Sequence, residues 1–444
     1  MKHIKSFTIG LLIIFSAIAF VPVIAYPWEE KIDWSSFASA YEDEPVHYYV
    51  NTFQDEEDIN IGDGYCWSTN NKCSLRAAIS EANLLENLRA DVIIHLPAGE
   101  YPLILSGTDF HLLINRFSSW PVVIQGEGAE TTIIKGNQTV GLFDLQYSAT
   151  FRDVTLRDGY GGLNYPGAIF VRANSELILV STVIQENYGN GGALKLVGAH
   201  SYATLDKSAL LNNESVIDGG AINNLGGNLL IKHSVISGNS APRFGGGIYD
   251  RSEFRSFDIF TSTISGNSAW KGSAIASEWI VNGGRAGINI SSSTISGNSS
   301  LNDEGVAIYA DYMYVAIRSS IVFGNPVANS PNCSSKSYVT TNGNNISTSD
   351  CLKNPSIGDQ VDVDPLLGPL QNNGGNTLTH ALLSGSPAIN GGVESFLCTY
   401  WWGITYNTDQ RGFPRPGAPF DTRCDIGAYE WNDWQTVYLP LITR

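Results

Sequence analysis

The sequence predicts an all-β fold: a single-stranded, right-handed parallel β-helix with a capping helix before it and a disulfide-tied cap after it. The first observation behind this prediction is a repeated phrase, which in its clearest copies is a short apolar run ending in Gly-Asn. The polar residues that close the copies recur every 26 to 31 residues, at Asp158, Asn187, Asn213, Asn239, Asn267, Asn298 and Asn325. A repeat of this length is typical of a solenoid, in which each unit packs on the next.

A second phrase keeps step with the first. Gly-Gly precedes a short apolar strand at 191–194, 219–222 and 245–248, and weaker copies stand at 273–275 and 306–308. Because glycine has no Cβ, a pair of glycines allows a tight corner before the strand.

The content of each repeat decides which solenoid it forms. Runs of three to six residues rich in Ile, Val, Leu and Thr are separated by Gly, Asn and Ser. Such runs have strand length, and the separators favour turns. Helical repeats would need amphipathic stretches of about ten residues or more with few glycines, and these units lack them. One repeat therefore corresponds to one coil of about three short strands, stacked at ~4.8 Å on the next coil.

The seven closing polar residues are then expected to form one column along the solenoid. Asparagine tolerates a left-handed turn, and its amide can bond the copies above and below it. We interpret the column as a structural ladder rather than as part of a catalytic site.

The chain begins with a secretory signal. Two lysines lead into the apolar run 7–20, and small residues follow, so that residues 1–25 are predicted to be a signal peptide cleaved after Ala25. An uncleaved anchor helix is the alternative, which Pro22 disfavours. No later stretch approaches the ~20 apolar residues that a transmembrane helix needs. The predicted location is therefore secreted or at the cell surface.

The negative net charge of the chain argues against polyanionic partners. The full chain carries a net charge of −17 at pH 7, and removal of residues 1–25, which hold two lysines and no acid, makes it −19. Such a surface repels nucleic acid and anionic membranes.

Before the repeats, residues 26–46 lack any periodic pattern and are interpreted as a flexible acidic leader. Residues 47–90 are predicted to form an N-terminal cap. Its loop 55–63 carries five acidic residues, so a calcium site is conceivable there, but a solvated loop is the preferred interpretation.

An amphipathic helix is predicted over 74–87, with Ser74 as its N-cap. A helix at this place would cover the hydrophobic cross-section and the open strand edges of the first coil. The stretch 73–83, which reads CSLRAAISEAN, resembles the CSLREA domain, a short N-terminal module of bacterial surface β-helix proteins. Ala77 replaces the glutamate that is usual there.

The body of the chain, residues 91–353, is predicted to be the β-helix. Its paired Asn and Gly-Gly-Ala-Ile phrases resemble the repeats of polymorphic outer membrane proteins.

Six cysteines on a secreted chain indicate three disulfides. Six cysteines allow 15 pairings, and the simplest joins nearest neighbours. These are Cys66 with Cys73, Cys333 with Cys351, and Cys398 with Cys424. None of the spacings is typical of a metal site, so neither a metal nor any other cofactor is predicted.

The end of the chain carries a further resemblance. Residues 364–370, 408–412 and 424–430 read DPLLGPL, TDQRG and CDIGAYE, and they resemble the choice-of-anchor Q family, which ends secreted bacterial β-helices. Residues 354–431 are accordingly expected to form the last coils and a cap over the open end. Residues 432–444 are interpreted as a tail, either a final strand or a sorting segment.

Many β-helices of the pectin-lyase-like type cleave acidic polysaccharides, which requires converging carboxylates and a basic residue. In a solenoid these would recur at one register. The register of Asn190 contains Asp218, Phe244, Lys271 and Glu304, and the register of Leu196 contains Asn224, Asp250, Ser277 and Ala310. Neither is an acidic column. The weak catalytic candidates are Asp250, Glu253 and Arg255, in a charged stretch that is more typical of a solvated loop.

Two functions remain. The preferred one is a non-enzymatic surface protein that uses an elongated face for adhesion or carbohydrate binding, with extracellular carbohydrate or cell-envelope components as partners. The aromatic residues expected to stack on sugars are Tyr160, Tyr188, Tyr249, Trp270 and Trp279. The alternative is a lyase or hydrolase of acidic polysaccharides.

Overall fold

The structure is a computed structural model, and the strands that it describes are short. It describes residues 43–105, 110–252, 257–278, 287–301, 306–311, 313–324, 332–334, 338–394, 398, 400–401, 404–405, 407–417 and 422–431. These residues form one helix, α1 (Leu75–Asn83), and 39 strands. The predicted signal peptide, nearly all of the leader and the tail 432–444 lie outside the described residues.

The strands up to residue 171 are β1 (Val46–Tyr49), β2 (Val92–His95), β3 (Gly99–Pro102), β4 (Phe110–Ile114), β5 (Val122–Gln125), β6 (Thr132–Lys135), β7 (Gly141–Leu145), β8 (Ala149–Arg152), β9 (Thr155–Arg157), β10 (Tyr160–Gly162) and β11 (Ile169–Val171). The next are β12 (Glu176–Val180), β13 (Val183–Gln185), β14 (Tyr188–Gly189), β15 (Leu194–Val197), β16 (Tyr202–Asp206), β17 (Ala209–Leu211), β18 (Glu214–Ser215), β19 (Ile222–Leu225), β20 (Asn228–Lys232), β21 (Val235–Ser237), β22 (Ile248–Asp250), β23 (Phe257–Phe260), β24 (Thr263–Ser265), β25 (Ser268–Ala269) and β26 (Ile275–Glu278). The last are β27 (Gly287–Ser291), β28 (Thr294–Ser296), β29 (Ser299–Ser300), β30 (Ile308–Asp311), β31 (Tyr314–Arg318), β32 (Ile321–Val322), β33 (Tyr338–Thr341), β34 (Ile346–Ser347), β35 (Gln360–Val361), β36 (Leu367–Gln371), β37 (Thr379–Leu382), β38 (Tyr400–Trp401) and β39 (Ile404–Thr405).

Three long parallel sheets confirm the predicted β-solenoid. Sheet A has 11 strands in the order β1-β2-β5-β8-β12-β16-β20-β23-β27-β31-β33, and sheet B has 11 in the order β3-β6-β9-β13-β17-β21-β24-β28-β32-β34-β35. Sheet C has 8, in the order β4-β7-β11-β15-β19-β22-β26-β30. The chain passes through A, B and C in turn, so that each full coil adds one strand to each sheet. The pairs β36–β37 and β38–β39, near the C-terminal end, are antiparallel.

The core lies inside the coils because side chains alternate between the two faces of every strand. On sheet C, for example, Leu194, Ile222 and Ile248 occupy matched positions and are fully buried. The same apolar character recurs at the inward positions of sheets A and B, so each coil buries its apolar residues against the coils on either side.

One corner of the coil is held by a column of asparagines. Asn187, Asn213, Asn239, Asn267 and Asn298 are each at most 1% exposed, and each of the first four donates its side-chain amide to the side-chain oxygen of the next at 2.9 to 3.0 Å. The backbone N–H of each also donates to that oxygen.

The column differs from the prediction in two respects. Asp158 is not part of it, because Gly159 takes the ladder position and donates its backbone N–H to the Asn187 side chain. The left-handed residue of the corner is the one before each asparagine, and Asp158 (φ 60°) and Gly238 (φ 69°) both stand there. Asn325 lies outside the described residues.

A second corner, between sheets A and B, carries a hydroxyl column that the prediction missed. Ser208 accepts the N–H of Thr182 and donates its own N–H to the Oγ of Ser234. The column continues through Ser262, Ser293 and Ser320 to Asn345. Two buried columns therefore run along the solenoid. In each repeat they supply hydrogen-bond partners for the backbone groups at two of its corners.

Helix α1 packs against the first coils, as its apolar face predicts. Ser74 is the N-cap, and its Oγ accepts the Ala77 N–H at 3.0 Å. Arg76 holds Asp55 through two hydrogen bonds of 2.7 and 2.9 Å, which ties the helix to the acidic loop. Below the helix, the buried Arg116 donates to the carbonyls of Leu85, Leu88, Ala90 and Trp120.

The cysteines form the three predicted nearest-neighbour disulfides. The segment after β35 was expected to cover the end of the solenoid, but its described contacts also run back along the outer face of sheet B. Gln410 accepts from Thr263, Thr377 donates to the His233 carbonyl, and Asn376 reaches Ser181 beside β13. We call residues 364–431 the return segment.

The motifs that resemble choice-of-anchor Q sequences hold the return segment together. Asp409 and Arg411 form a fully buried ion pair at 2.7 Å, and Arg411 lies 3.5 Å from the ring centre of Tyr429. Asp409 also accepts the Glu430 N–H. In this segment His380 is packed between the Ser265 hydroxyl and the Gly368 carbonyl, and burial lowers its pKa.

Candidate functional site

The outer face of sheet C is the candidate functional site. Its outward positions on successive coils are Phe170, Lys195, Asn223, Tyr249, Ala276 and Tyr309. The position beside them, at the turn before each strand, carries Asp218, Phe244 and Lys271, which are bridged to one another as neighbours. Apart from Ala276, the sheet thus has two parallel rows of large polar and aromatic side chains along its outer face.

Three aromatic rings stand nearly parallel on this face. The ring of Phe244 lies 6.2 Å from that of Tyr249 and 5.9 Å from that of Tyr309, at interplanar angles of 20° and 18°. Trp270 is 41% exposed and its ring lies 6.1 Å from Phe244. The Lys271 ammonium lies 4.7 Å from the Trp270 ring centre, and 5.3 Å from that of Tyr309. We call these five residues the ring cluster.

Charged side chains border the ring cluster. Arg243 holds Asp218 through two hydrogen bonds of 3.1 and 2.8 Å, and its guanidinium lies 5.5 Å from the Phe244 ring centre. Tyr249 donates its hydroxyl to Glu278 at 2.5 Å. Burial raises the pKa of Asp218, although Arg243 opposes that shift. Burial and the adjacent Glu278 carboxylate raise the pKa of Tyr249, so its hydroxyl stays protonated.

Asp250 was a weak catalytic candidate, and the structure places it in the interior instead. It belongs to the inward row with Asn224 and Ser277, and it is 1% exposed. Its carboxyl accepts hydrogen bonds from Asn224, Ser252 and Ser277 at 2.8 to 3.3 Å. Because it points into the coil, a substrate on the outer face of sheet C cannot reach it. The other two candidates, Glu253 and Arg255, lie outside the described residues.

The aromatic residues chosen from the sequence have different surroundings. Tyr160 and Tyr188 stack at 5.1 Å on the small sheet β10-β14-β18, away from the ring cluster. Tyr249 is only 4% exposed, and Trp270 is half-exposed. Trp279 lies outside the described residues.

Of the ring cluster and the charged residues that border it, sequence reasoning singled out Tyr249 and Trp270 and missed the rest: Asp218, Arg243, Phe244, Lys271, Glu278 and Tyr309. A signal for Phe244 existed, because it occupies the register of Asp218 and Lys271, but that register was searched for acidic residues alone. The two rows of sheet C can be found in the sequence only if each register is searched for all residue types that bind sugars, including aromatic and basic ones.

Few side chains in the described part of the chain are arranged in a way that could bind a metal ion. Among the described residues, the group of three potential ligands whose atoms lie within 4.8 Å of one another is Cys333, Asp350 and Cys351, and the two sulfurs are joined in a disulfide. The acidic loop 55–63, which is fully described, contains no such group, so the calcium hypothesis gains no support.

Comparisons with protein-family models, with curated proteins and with solved structures found no match to this chain. The three resemblances described above therefore rest on the quoted residues alone. Within the described part of the chain, no helix has the length and apolar character needed to cross a bilayer.

Proposed function

We propose that this protein is a secreted or cell-surface β-solenoid that binds oligosaccharides on the outer face of sheet C without altering them chemically. The observation that carries the proposal is the ring cluster with its exposed indole, Trp270. The C–H face of a sugar ring packs well on an aromatic face, while its hydroxyls need polar partners at the rim. Arg243, Glu278 and Lys271 supply such partners.

The repetition of the solenoid suits an extended ligand. Successive coils present side chains at ~4.8 Å intervals, which is close to the length of one sugar unit in a chain. If a glycan lies along the stack from Tyr309 towards Phe170, each of its sugar units contacts the side chains of a new coil. This favours a chain of several sugars over a single monosaccharide.

Hydrolysis is the second candidate function, because two carboxylates flank Tyr249. Asp218 and Glu278 both act electrostatically on that tyrosine. A glycosidase needs one carboxyl that donates a proton and one carboxylate that acts as base or nucleophile. Asp218 is engaged by Arg243 and Glu278 by the Tyr249 hydroxyl, so neither is free for this work in the unliganded protein. Binding without turnover is therefore the preferred function.

The test is a binding and turnover measurement on one panel. Tetramers of cello-, xylo-, chito- and galacturono-oligosaccharides are immobilised, and the purified chain is titrated over them. The eluates are assayed for new reducing ends and for unsaturated uronides. We expect at least one tetramer to bind and no product to form.

Variants assign the binding to the ring cluster. Trp270→Ala and Phe244→Ala should each weaken binding by about tenfold or more, the loss typical of a central aromatic contact. Tyr314→Ala is the matched control, because Tyr314 is 47% exposed and stacks on Tyr338 on sheet A. Equal weakening by the control, or release of product by the wild-type chain, would overturn the proposal.

A further inference from the structure

Beside the ring cluster, Lys195 and Asn223 stand next to each other on neighbouring strands of sheet C. Lys195 pairs with Asn223, and Asn223 pairs with Tyr249 on the following coil. Both side chains are on the outer face, yet Lys195 is 9% exposed and Asn223 is 4% exposed. Asn223 lies one coil before Tyr249, and Lys195 lies two coils before it.

The Lys195 ammonium is incompletely satisfied. Its Nζ donates to the Asn164 carbonyl at 2.9 Å, and no described carboxylate lies within 4.0 Å of it. An ammonium has three donors, so two remain for another partner. Burial without a counter-charge lowers the pKa of Lys195, which is the expected response of a cation held away from water.

Asn223 is fixed in orientation and has a free acceptor. Asn190 donates its amide to the Leu163 carbonyl at 2.9 Å, so its oxygen faces Asn223. Asn223 must then donate its own Nδ2 to Asn190, at 2.7 Å. The Oδ1 of Asn223 is buried and has no hydrogen-bond partner among the residues that the structure describes. A buried carbonyl oxygen without a donor destabilises the fold unless a bound group supplies one.

We propose that Lys195 and Asn223 form a subsite that binds two adjacent hydroxyl groups of one sugar unit. The ammonium donates to the oxygen of the first hydroxyl, and the second hydroxyl donates its hydrogen to Asn223 Oδ1. Because Asn223 is next to Tyr249 in the outward row of sheet C, this sugar is the neighbour of the one stacked on the ring cluster. The inference deepens the proposed function and rests on it.

The experiment measures affinity and stability of the same variants. Lys195→Met removes the ammonium and keeps an unbranched side chain, and Asn223→Leu removes the acceptor. The purified full chain and each variant are titrated with the four tetramers named above. The matched control is Lys207→Met, at an exposed lysine on a different face. We expect about tenfold weaker binding or more for the first two variants, and no change for the control.

The melting temperature separates a ligand subsite from a structural contact. Removal of a buried cation that lacks a counter-charge should leave the melting temperature of Lys195→Met unchanged or raised. A structural lysine would instead give a lower melting temperature and unchanged affinity, which would overturn the inference. If Lys195→Met fails to fold, the affinity of Asn223→Ser for the tetramers is measured instead, because the shorter serine side chain moves the acceptor away from the sugar.

The outcomes also distinguish the two proposals. Wild-type affinity in both Lys195→Met and Asn223→Leu, with weakened binding in Trp270→Ala, would refute the subsite and leave carbohydrate binding standing. Failure of every tetramer to bind the wild-type chain would refute both.

Discussion

The side-chain oxygen of Asn239 accepts hydrogen bonds from both the backbone nitrogen and the side-chain nitrogen of Asn213, each at 2.9 Å. The Asn239 amide in turn donates to the Leu210 carbonyl and to Asn267. One fully buried side chain thus bonds groups on the coil before it and on the coil after it.

Replacement of Asn239 should therefore destabilise the solenoid. Asn239→Ala leaves two buried donors of Asn213 and a buried carbonyl unpaired, so we expect a loss on the order of 3 kcal/mol in the free energy of unfolding. Urea unfolding measures it. Asn228→Ala, at a half-buried asparagine at the start of β20, is the control. Similar small losses at both positions would show that the column contributes little.

The buried carboxyl of Asp250 predicts that the stability of the protein depends on pH. Burial raises its pKa from 3.8 to about 6, so the group is protonated in both states below pH ~4. As the pH rises from about 4 to about 6, the unfolded chain ionises Asp250 while the folded chain still holds the proton, so stability falls by on the order of 3 kcal/mol in this window and levels off above pH 6.

Asp250→Asn removes this titration while it keeps a side chain of the same shape. The variant should be more stable than the wild type at pH 8 and nearly equal to it at pH 4, as measured by urea unfolding at the two values. A wild type that is the more stable at pH 8 would contradict the inferred burial. Loss of glycan binding in the variant would instead point to a functional role.

Arg116 is expected to hold the N-terminal cap in place. Arg116→Met leaves the carbonyls of Leu85, Leu88 and Ala90 without their donor, so helix α1 should exchange its amide hydrogens much faster than in the wild type. Hydrogen exchange followed by mass spectrometry measures the exchange rate of the helix separately from that of the coils. The control is Arg89→Met, at an exposed neighbour; equal acceleration in the control would contradict the assigned role.

Gln410 docks the return segment. Thr263 donates to its oxygen at 2.6 Å, and its amide donates to Thr377 and to the Leu378 carbonyl at 2.9 Å each. Gln410→Ala should expose residues 366–382 to limited proteolysis while the coils stay resistant. A double-mutant cycle with Thr263→Val should give a coupling of about 1 kcal/mol or more. Additive effects would show that the contact is incidental.

Much of the fold could be predicted because the repeat recurs in the sequence itself. The Gly-Asn phrase predicted the corner, and the spacing predicted the coil. The assignment of Asp158 failed by one position because the ladder residue of that coil is Gly159, which has no side chain that could mark it.

The return segment was harder to predict because its contact surface looks like an ordinary exterior. Thr263 and Thr294 face outward on sheet B, as their polar character suggests, yet they are 0% and 2% exposed because the segment covers them. Similarly, Asp250 looked like part of a charged loop, and only the pairing of β22 with its neighbours shows that it points inward. The ring cluster required the register of three coils, which no single motif reveals.

The most direct test of carbohydrate binding on sheet C is a hydrogen-exchange footprint of the chain with and without the panel tetramers. A bound oligosaccharide should slow exchange in residues 243–249 and 269–278 and leave residues 314–318 and 338–341 of sheet A unchanged. Protection confined to sheet A, or no protection with any tetramer, would contradict the account.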